Sequence, residues 1–374
     1  MPYDIPKMTY NTSEVINSTG LNTNWTTPHA PTTTGEDNYA YLDNSAKTWF
    51  PVDESVLEVL NLVFDIIVTQ TFCVTGIVGN FISIIIFWKL GFKDVTNIIL
   101  ISLSTSDTIF CLFQCYYRLP DIVEMYDRYT GHTMRTFHFV YCSFIHQTAI
   151  IISLFLVVLI SVERCIAVWL PFRVSQICNR RNIIWAVVFL YVLGIVLTLP
   201  ALFLYRLKWY VSKPKNITYA ALFYTDFFAN NFEILLIYFT SGLNSVTAII
   251  PLIVIVVLSY ITSAKLIVSQ RNRKNLSSAK STPNSRDVKV FRMFITICVV
   301  NVLIFLPTTV LDMYLYSSPD QEFLSENFKT AVISVKNAVY TFGPTANWIV
   351  YASLSSKFAE SYRNMFCFGK LRKK

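Results

Sequence analysis

Chemistry in this chain is to be sought first where polar side chains interrupt apolar runs. Asn80 lies in GIVGNFISII, Asp107 in NIILISLSTSDTIF, Ser153 in AIIISLFLVV and Asn347 in PTANWIVY. If these four meet, two outcomes are open. They can cross-link helices by hydrogen bonds alone, or they can line a small wet pocket that takes a cation such as Na+ at Asp107. A second constellation is SVERCIAVWLPF, where Glu163 and Arg164 follow directly on the apolar run SFIHQTAIIISLFLVVLI. An ionised side chain at the centre of a membrane helix costs roughly 2.5 to 3.5 kcal/mol, so a carboxylate beside a guanidinium there needs a role. Covalent chemistry is not indicated. No Ser-His-acid set, metal-ligand spacing or phosphate-binding glycine loop occurs, and His29, His132, His138 and His146 do not group into a site. The expectation is a protein that is not an enzyme and carries no resident cofactor.

The elements that hold these residues follow from composition. With 53% hydrophobic and 14% charged residues in 374, the chain is too apolar for an ordinary soluble domain. The apolar residues gather into seven blocks, at about 59–88, 96–119, 137–163, 183–205, 236–263, 291–316 and 331–354. Each is long enough to cross hydrocarbon as a helix, the structure that satisfies its own backbone there. The last block contains Lys336, Asn337 and Asn347 and is placed partly by analogy. The expected fold is an all-α membrane protein, a seven-transmembrane helix bundle followed by a short amphipathic helix. Phe358, Tyr362 and Phe366 recur at fourfold spacing with Lys357, Arg363 and Lys370 between them, which suits a helix lying on the membrane surface, with Cys367 as a palmitoylation candidate.

Charge sets the orientation. With the N-terminus outside, twenty of the 31 Lys and Arg fall on the cytoplasmic side. The net charge of +8 then reports topology and asks for a lipid bilayer as partner, with no need of nucleic acid. Residues 1–55 form an Asn/Thr/Ser-rich external tail, expected to be disordered, with glycan acceptors at Asn11, Asn17 and Asn24; a fourth, Asn216, lies in a later external loop. Residues 56–354 form the membrane domain, and 355–374 the cytoplasmic helix and tail.

Several motifs then stand in order: GIVGN in span one, N-x-x-L-x-x-LSTSD at Asn97 to Asp107, Glu-Arg-Cys ending span three, Trp185, Pro251, Pro307, and N-x-x-x-Y at Asn347 and Tyr351. Over residues 59–368 this set resembles the rhodopsin-like G-protein-coupled receptors. The resemblance implies that Arg164 is a cytoplasmic switch, held at rest by Glu163 and by Asp287 at the foot of span six, and released to a heterotrimeric G protein when span six swings outward. It implies further that Asn347 partners Asp107, that Tyr351 moves inward on activation, and that arrestin is a second partner. The chain also departs from the family. Cys165 stands for the usual Tyr, Phe305 for a Trp, and Trp348 for a Pro, which leaves Gly343 and Pro344 to bend span seven. The family's bridge from span three to the loop before span five cannot form, because Phe139 stands where its cysteine would be and residues 207–232 contain none. Cys115 with Cys142, or two free thiols, remain open.

By the same analogy the outer lining comprises His146, Gln147, Asn244, Ser245, Phe305, Thr308, Asp312, Asn337 and Tyr340. His146 replaces the Asp of amine receptors and Thr341 the Lys of opsins, which disfavours both ligand classes. Acids outnumber bases outside, favouring a cationic ligand by steering, so a basic or amidated neuropeptide is the leading expectation. A small chemosensory ligand is the alternative, since the departures resemble divergent invertebrate receptors. A seven-helix channel or transporter and a non-signalling decoy are the rival classes; no internal repeat supports a transporter.

Overall fold

A computed structural model of the chain describes residues 50–92, 94–212, 217–276, 285–317 and 324–366. The glycan candidates Asn11, Asn17, Asn24 and Asn216 and the lipidation candidate Cys367 lie outside the described residues. The expected seven-helix bundle is the fold observed. Its helices are α1 (Glu54–Leu90), α2 (Val95–Glu124), α3 (Arg128–Trp169), α4 (Arg180–Phe203), α5 (Phe232–Ser269), α6 (Ser285–Ser317) and α7 (Glu326–Leu354). The first six contain runs long and apolar enough to cross a membrane; α7 is interrupted by Lys329 and Lys336 and owes its place to packing against α1 and α6.

Local sequence fixes where the helices begin. Asp94 accepts a hydrogen bond from the Thr96 amide (3.2 Å) to cap α2, Asn179 accepts from the Asn182 amide (2.9 Å) to cap α4, and Ser325 accepts from the Phe328 amide (3.2 Å) to cap α7. Gly91 follows α1 at φ +83°, a conformation that L side chains rarely adopt. Pro307 and Pro344 remain inside α6 and α7, where each deletes a backbone donor and loosens the ladder. Wide π turns occur in α1 (Asn61–Val68), α3 (His138–Cys142) and α5 (Tyr238–Leu243, Ser245–Ile249).

α3 runs through the centre, with Leu156, Val157 and Ile160 fully buried, whereas α4 turns Trp185, Phe189 and Val196 outward. α8 (Ser356–Phe366) packs its Phe358 against Phe87 and Tyr351, with ring centroids 5.4 and 6.1 Å apart, while Tyr362 on the same face stays partly exposed. That is the amphipathic pattern expected of its fourfold spacing.

The sequence reading held no strand, yet β1 (Tyr205–Ser212) and β2 (Ile217–Tyr224) form an antiparallel hairpin, in register from Tyr205 opposite Tyr224 to Ser212 opposite Ile217. The hairpin marks the outer end of the bundle. The hairpin rests on the start of α3: the Ala220 amide donates to Thr133 Oγ1 (3.1 Å), Thr136 Oγ1 donates to the Ala220 carbonyl (3.3 Å), and Tyr219 lies against Tyr129 and His132. All seven described cysteines are free, Cys115 and Cys142 included. Polar and aromatic contacts therefore tie this loop to α3 where a covalent bridge is absent.

Candidate functional site

At mid-depth, α2, α3, α6 and α7 bring polar groups together. Ser153 Oγ donates to Asp107 Oδ1 (2.6 Å) and Asn347 Nδ2 to Asp107 Oδ2 (2.8 Å). Asn301, which the sequence reading passed over, donates to Asn347 Oδ1 (3.4 Å) and to the Ile297 carbonyl (2.8 Å). Asp107 is fully buried, and no cation pairs with it among the described residues. Asn80 does not join this cluster. It donates instead to the Pro344 carbonyl (3.1 Å), stitching α1 to the bend of α7. Next to it, Gly79 gives the Trp348 ring its space, since a Cβ there would collide with the indole. The residue that replaces the family's proline thus serves as a packing element between α1 and α7.

At the inner end Arg164 is latched. Its Nε donates to Glu163 Oε2 (2.5 Å), its Nη2 to Glu163 Oε1 (2.9 Å) and to Thr96 Oγ1, and its guanidinium lies 4.4 Å over the Phe294 ring. Glu163 is buried, which strengthens a two-point carboxylate contact. The ring and hydroxyl bind Arg164 to α6 and α2; Asp287 lies in α6, and its side chain is outside the described residues. Tyr351 is fully buried edge-on to Phe87 (5.2 Å), with a hydroxyl that closes no hydrogen bond of ordinary geometry. Arg164, Thr96, Phe294 and Lys357 bound a space of about 60 Å³ at this end.

In the outer half α2, α3, α5, α6 and α7 enclose a cavity of about 200 Å³. His146, Gln147, Asn244, Phe305, Asp312, Asn337 and Tyr340 all line it. Gln114, Tyr117, Thr247, Thr309 and Lys336 complete its polar wall. Two expected residues lie elsewhere: Ser245 donates back to the Ser241 carbonyl (2.6 Å) along α5, and Thr308 faces a different crevice with its hydroxyl on the Ile304 carbonyl (3.0 Å). One turn of helix separates Thr308 from Asp312, yet Asp312 lines the cavity and Thr308 the crevice. Lys336 Nζ donates to Asp312 Oδ1 (2.5 Å), so the one acid in the cavity is already neutralised. Phe305 meets Tyr340 edge to face (5.2 Å) and packs on Gly343, while His146 stacks on Phe110 (4.7 Å) with Nε2 buried and unbonded.

A further charged network above the cavity was not anticipated. Arg118 Nη2 contacts Asp65 Oδ1 (2.7 Å) and its Nη1 reaches Asp121 (3.5 Å); Arg135 Nη2 bridges Asp121 (2.6 Å) and Glu124 (2.8 Å). Ser334 donates to Asp65 Oδ2 (2.6 Å), bringing in α7. The sign was available, because Asp65 in NLVFDIIV and Arg118 in CYYRLP are opposite charges in neighbouring apolar spans.

The sequence profile of the family described as 7 transmembrane receptor (rhodopsin family) matches residues 79–351, from Gly79 through the latch and the cavity to Tyr351. The chain belongs to this family. No curated protein sequence matches it. As a rhodopsin-family receptor it is a multi-pass membrane protein of a family of receptors, not of enzymes. Within the matched span stand the outer cavity, the mid-depth Asp107 cluster and the Arg164 contacts, while Asn80, Ser245 and Thr308 lie apart from them.

Proposed function

We infer that this receptor sits in the plasma membrane with its N-terminus outside, takes up an extracellular ligand in the outer cavity, and activates a heterotrimeric G protein at its inner face. The observation that carries this reading is the closed latch, in which one guanidinium joins α2, α3 and α6 through Thr96, Glu163 and Phe294. Such a joint suits a two-state switch: a ligand that favours the arrangement with α6 displaced shifts the population to an open inner face. Tyr351, fully buried between the Asp107 cluster and the latch, takes up the vacated volume in this reading. Na+ at Asp107 belongs to the same reading, with the carboxylate and Ser153 Oγ as oxygen donors and water as the remaining ligands. Arrestin competes for the opened face.

The leading ligand class is a peptide with a basic or amidated end, supported by the excess of acids outside. At about 200 Å³ the cavity admits a terminus or a side chain, so most of a peptide would lie on the hairpin and loops. The same size favours the second reading, a small chemosensory molecule. Glycans at Asn11, Asn17, Asn24 and Asn216 and a lipid on Cys367 complete the proposal.

The test is G-protein activation in cells expressing the wild type or Arg164→Ala, screened with peptides and small molecules. The expected result is an agonist response that disappears in Arg164→Ala at unchanged surface level. Ligand-gated ion flux without any G-protein response would sink the reading in favour of a channel.

A further inference from the structure

The formal charges of the outer cavity are already paired. Apart from His146, its described lining holds one base and one acid, and Lys336 Nζ donates to Asp312 Oδ1 (2.5 Å). Their side chains are only 12% and 26% exposed, so the pair is sheltered from bulk solvent while it faces the cavity. The pairing is made at one point. Asp312 Oδ2 accepts no hydrogen bond among the described residues, and an ammonium with three hydrogens keeps two after this contact. The cavity therefore presents an open acceptor beside an open donor, and the two groups together carry no net charge.

That pair selects among the groups a ligand could insert. A cation on Asp312 either displaces Lys336 or stands beside its ammonium, and an anion on Lys336 meets the same conflict at Asp312. Each strands or crowds a charge among side chains poorly reached by water. A zwitterion satisfies both residues only by prising them apart. A neutral group that carries an acceptor and a donor side by side needs no such opening, because it adds to the pair as it stands. A primary carboxamide is that group: its carbonyl oxygen and its N–H share one planar carbon, and both hydrogen bonds it forms are charge-assisted. Its second N–H enters a lining that still has polar capacity. Gln114 uses its Nε2 on Thr341 Oγ1 (3.2 Å) and keeps its carbonyl oxygen, and His146 Nε2 closes no hydrogen bond.

We propose that the group received by the outer cavity is a primary carboxamide, with its carbonyl oxygen on Lys336 Nζ, its N–H on Asp312 Oδ2 and the ion pair left closed. An amidated peptide terminus and an Asn or Gln side chain both carry this group. The proposal rests on the cavity being the ligand site, and it decides between a basic and an amidated end in favour of the amide. Steering by the external acids then acts on the rest of the ligand, which stays outside the cavity.

The full-length receptor in lipid nanodiscs is incubated with N-acetylated tetrapeptide libraries, randomised over uncharged residues without Asn or Gln. They differ only at the C-terminus: primary amide, dimethylamide, free carboxylate, or a cationic aminoethylamide. A further library keeps the dimethylamide and admits Asn and Gln. Retained peptides are quantified by mass spectrometry. The wild type is expected to hold the primary amides, the Asn and Gln peptides or both roughly ten-fold above the plain dimethylamide, the carboxylate and the cation, and whichever is held names the carrier. Asp312→Asn, which frees the ammonium, should turn the preference to the carboxylate; Lys336→Met, which frees the carboxylate, should turn it to the cation. The swapped pair Asp312→Lys with Lys336→Asp should keep the amide. Should a variant fail to reach the surface, the wild-type ranking decides alone. Carboxylate or cation ahead of the amide in the wild type, or equal retention of all libraries, would overturn the proposal. The cavity remains the ligand site in that event if the single variants still sort the libraries by charge, and loses that role as well if no variant changes any preference.

Discussion

Two buried polar centres in this receptor treat charge in opposite ways. At mid-depth the Asp107 carboxylate is held by a hydroxyl and an amide, with no cation beside it among the described residues. Higher up, two guanidinium groups interleave with three carboxylates, in the order Asp65, Arg118, Asp121, Arg135, Glu124. An ion lattice resists motion, because separating any pair leaves an unpaired charge in poor solvent. A carboxylate held by neutral donors has no counter-charge to abandon, and its partners can be exchanged. The difference teaches that the outer ends of α1, α2, α3 and α7 form a frame, while the Asp107 cluster and the latch below it are where rearrangement is cheap.

Breaking the frame gives the largest effect. Arg118→Met leaves Asp65 buried against Ser334 without its cation and should destabilise the receptor by about 3 to 5 kcal/mol, read as lost surface expression and a lowered Tm after mild detergent extraction. Asp65→Asn should do the same from the other side. The double variant should recover most of the loss, since two neutral partners cost less than one stranded charge. If the single variants match wild type in Tm, the lattice is ornament and the comparison fails.

The hairpin seat comes next. Thr133→Val with Thr136→Val removes both side-chain hydrogen bonds to Ala220, at about 1 kcal/mol each, while the aromatic contacts of Tyr219 stay. Ligand dissociation should quicken several-fold with little change in Tm. Because the described cysteines are free, a reducing agent should leave ligand binding intact in the wild type. Loss of binding on reduction would show that a disulfide carries the seat.

What could be read from sequence divides along the same line. Asp107, Ser153 and Asn347 are each alone in an apolar run, and hydrocarbon offers such groups few partners, so their meeting followed from span order. Asn80 has the same signature and went elsewhere, because its amide donates to the Pro344 carbonyl of α7, a long-range contact that the sequence pattern does not specify. In the cavity, Asp312 and Thr308 are one turn apart, and periodicity alone does not say which faces inward. The lattice was legible in principle from Asp65 and Arg118, but Asp121, Glu124 and Arg135 read as ordinary loop charges, since α3 starts at Arg128, well before its apolar run. The hairpin was hidden because residues 205–224 carry basic and aromatic residues in no strict alternation, and its register rests on long-range contact with α3.

The smallest effect on stability, and the sharpest test of the contrast, belongs to Asp107→Asn. The new side chain keeps an oxygen for the Ser153 hydroxyl, and Asn347 can turn its amide to present an acceptor, so the hydrogen bonds survive in number. A buried charge without a cation is removed at the same time, which favours the variant. Stability should therefore stay within about 1 kcal/mol of wild type, with Tm moving upward if at all. Signalling is expected to respond differently, because a neutral amide no longer offers Na+ or a migrating proton the charge that distinguishes one partner set from another. Agonist-driven G-protein activation should fall severalfold while ligand binding persists. A variant that loses stability as heavily as Arg118→Met would show that Asp107 belongs to the frame as well, and that the receptor keeps its adjustable element somewhere other than the middle of the bundle.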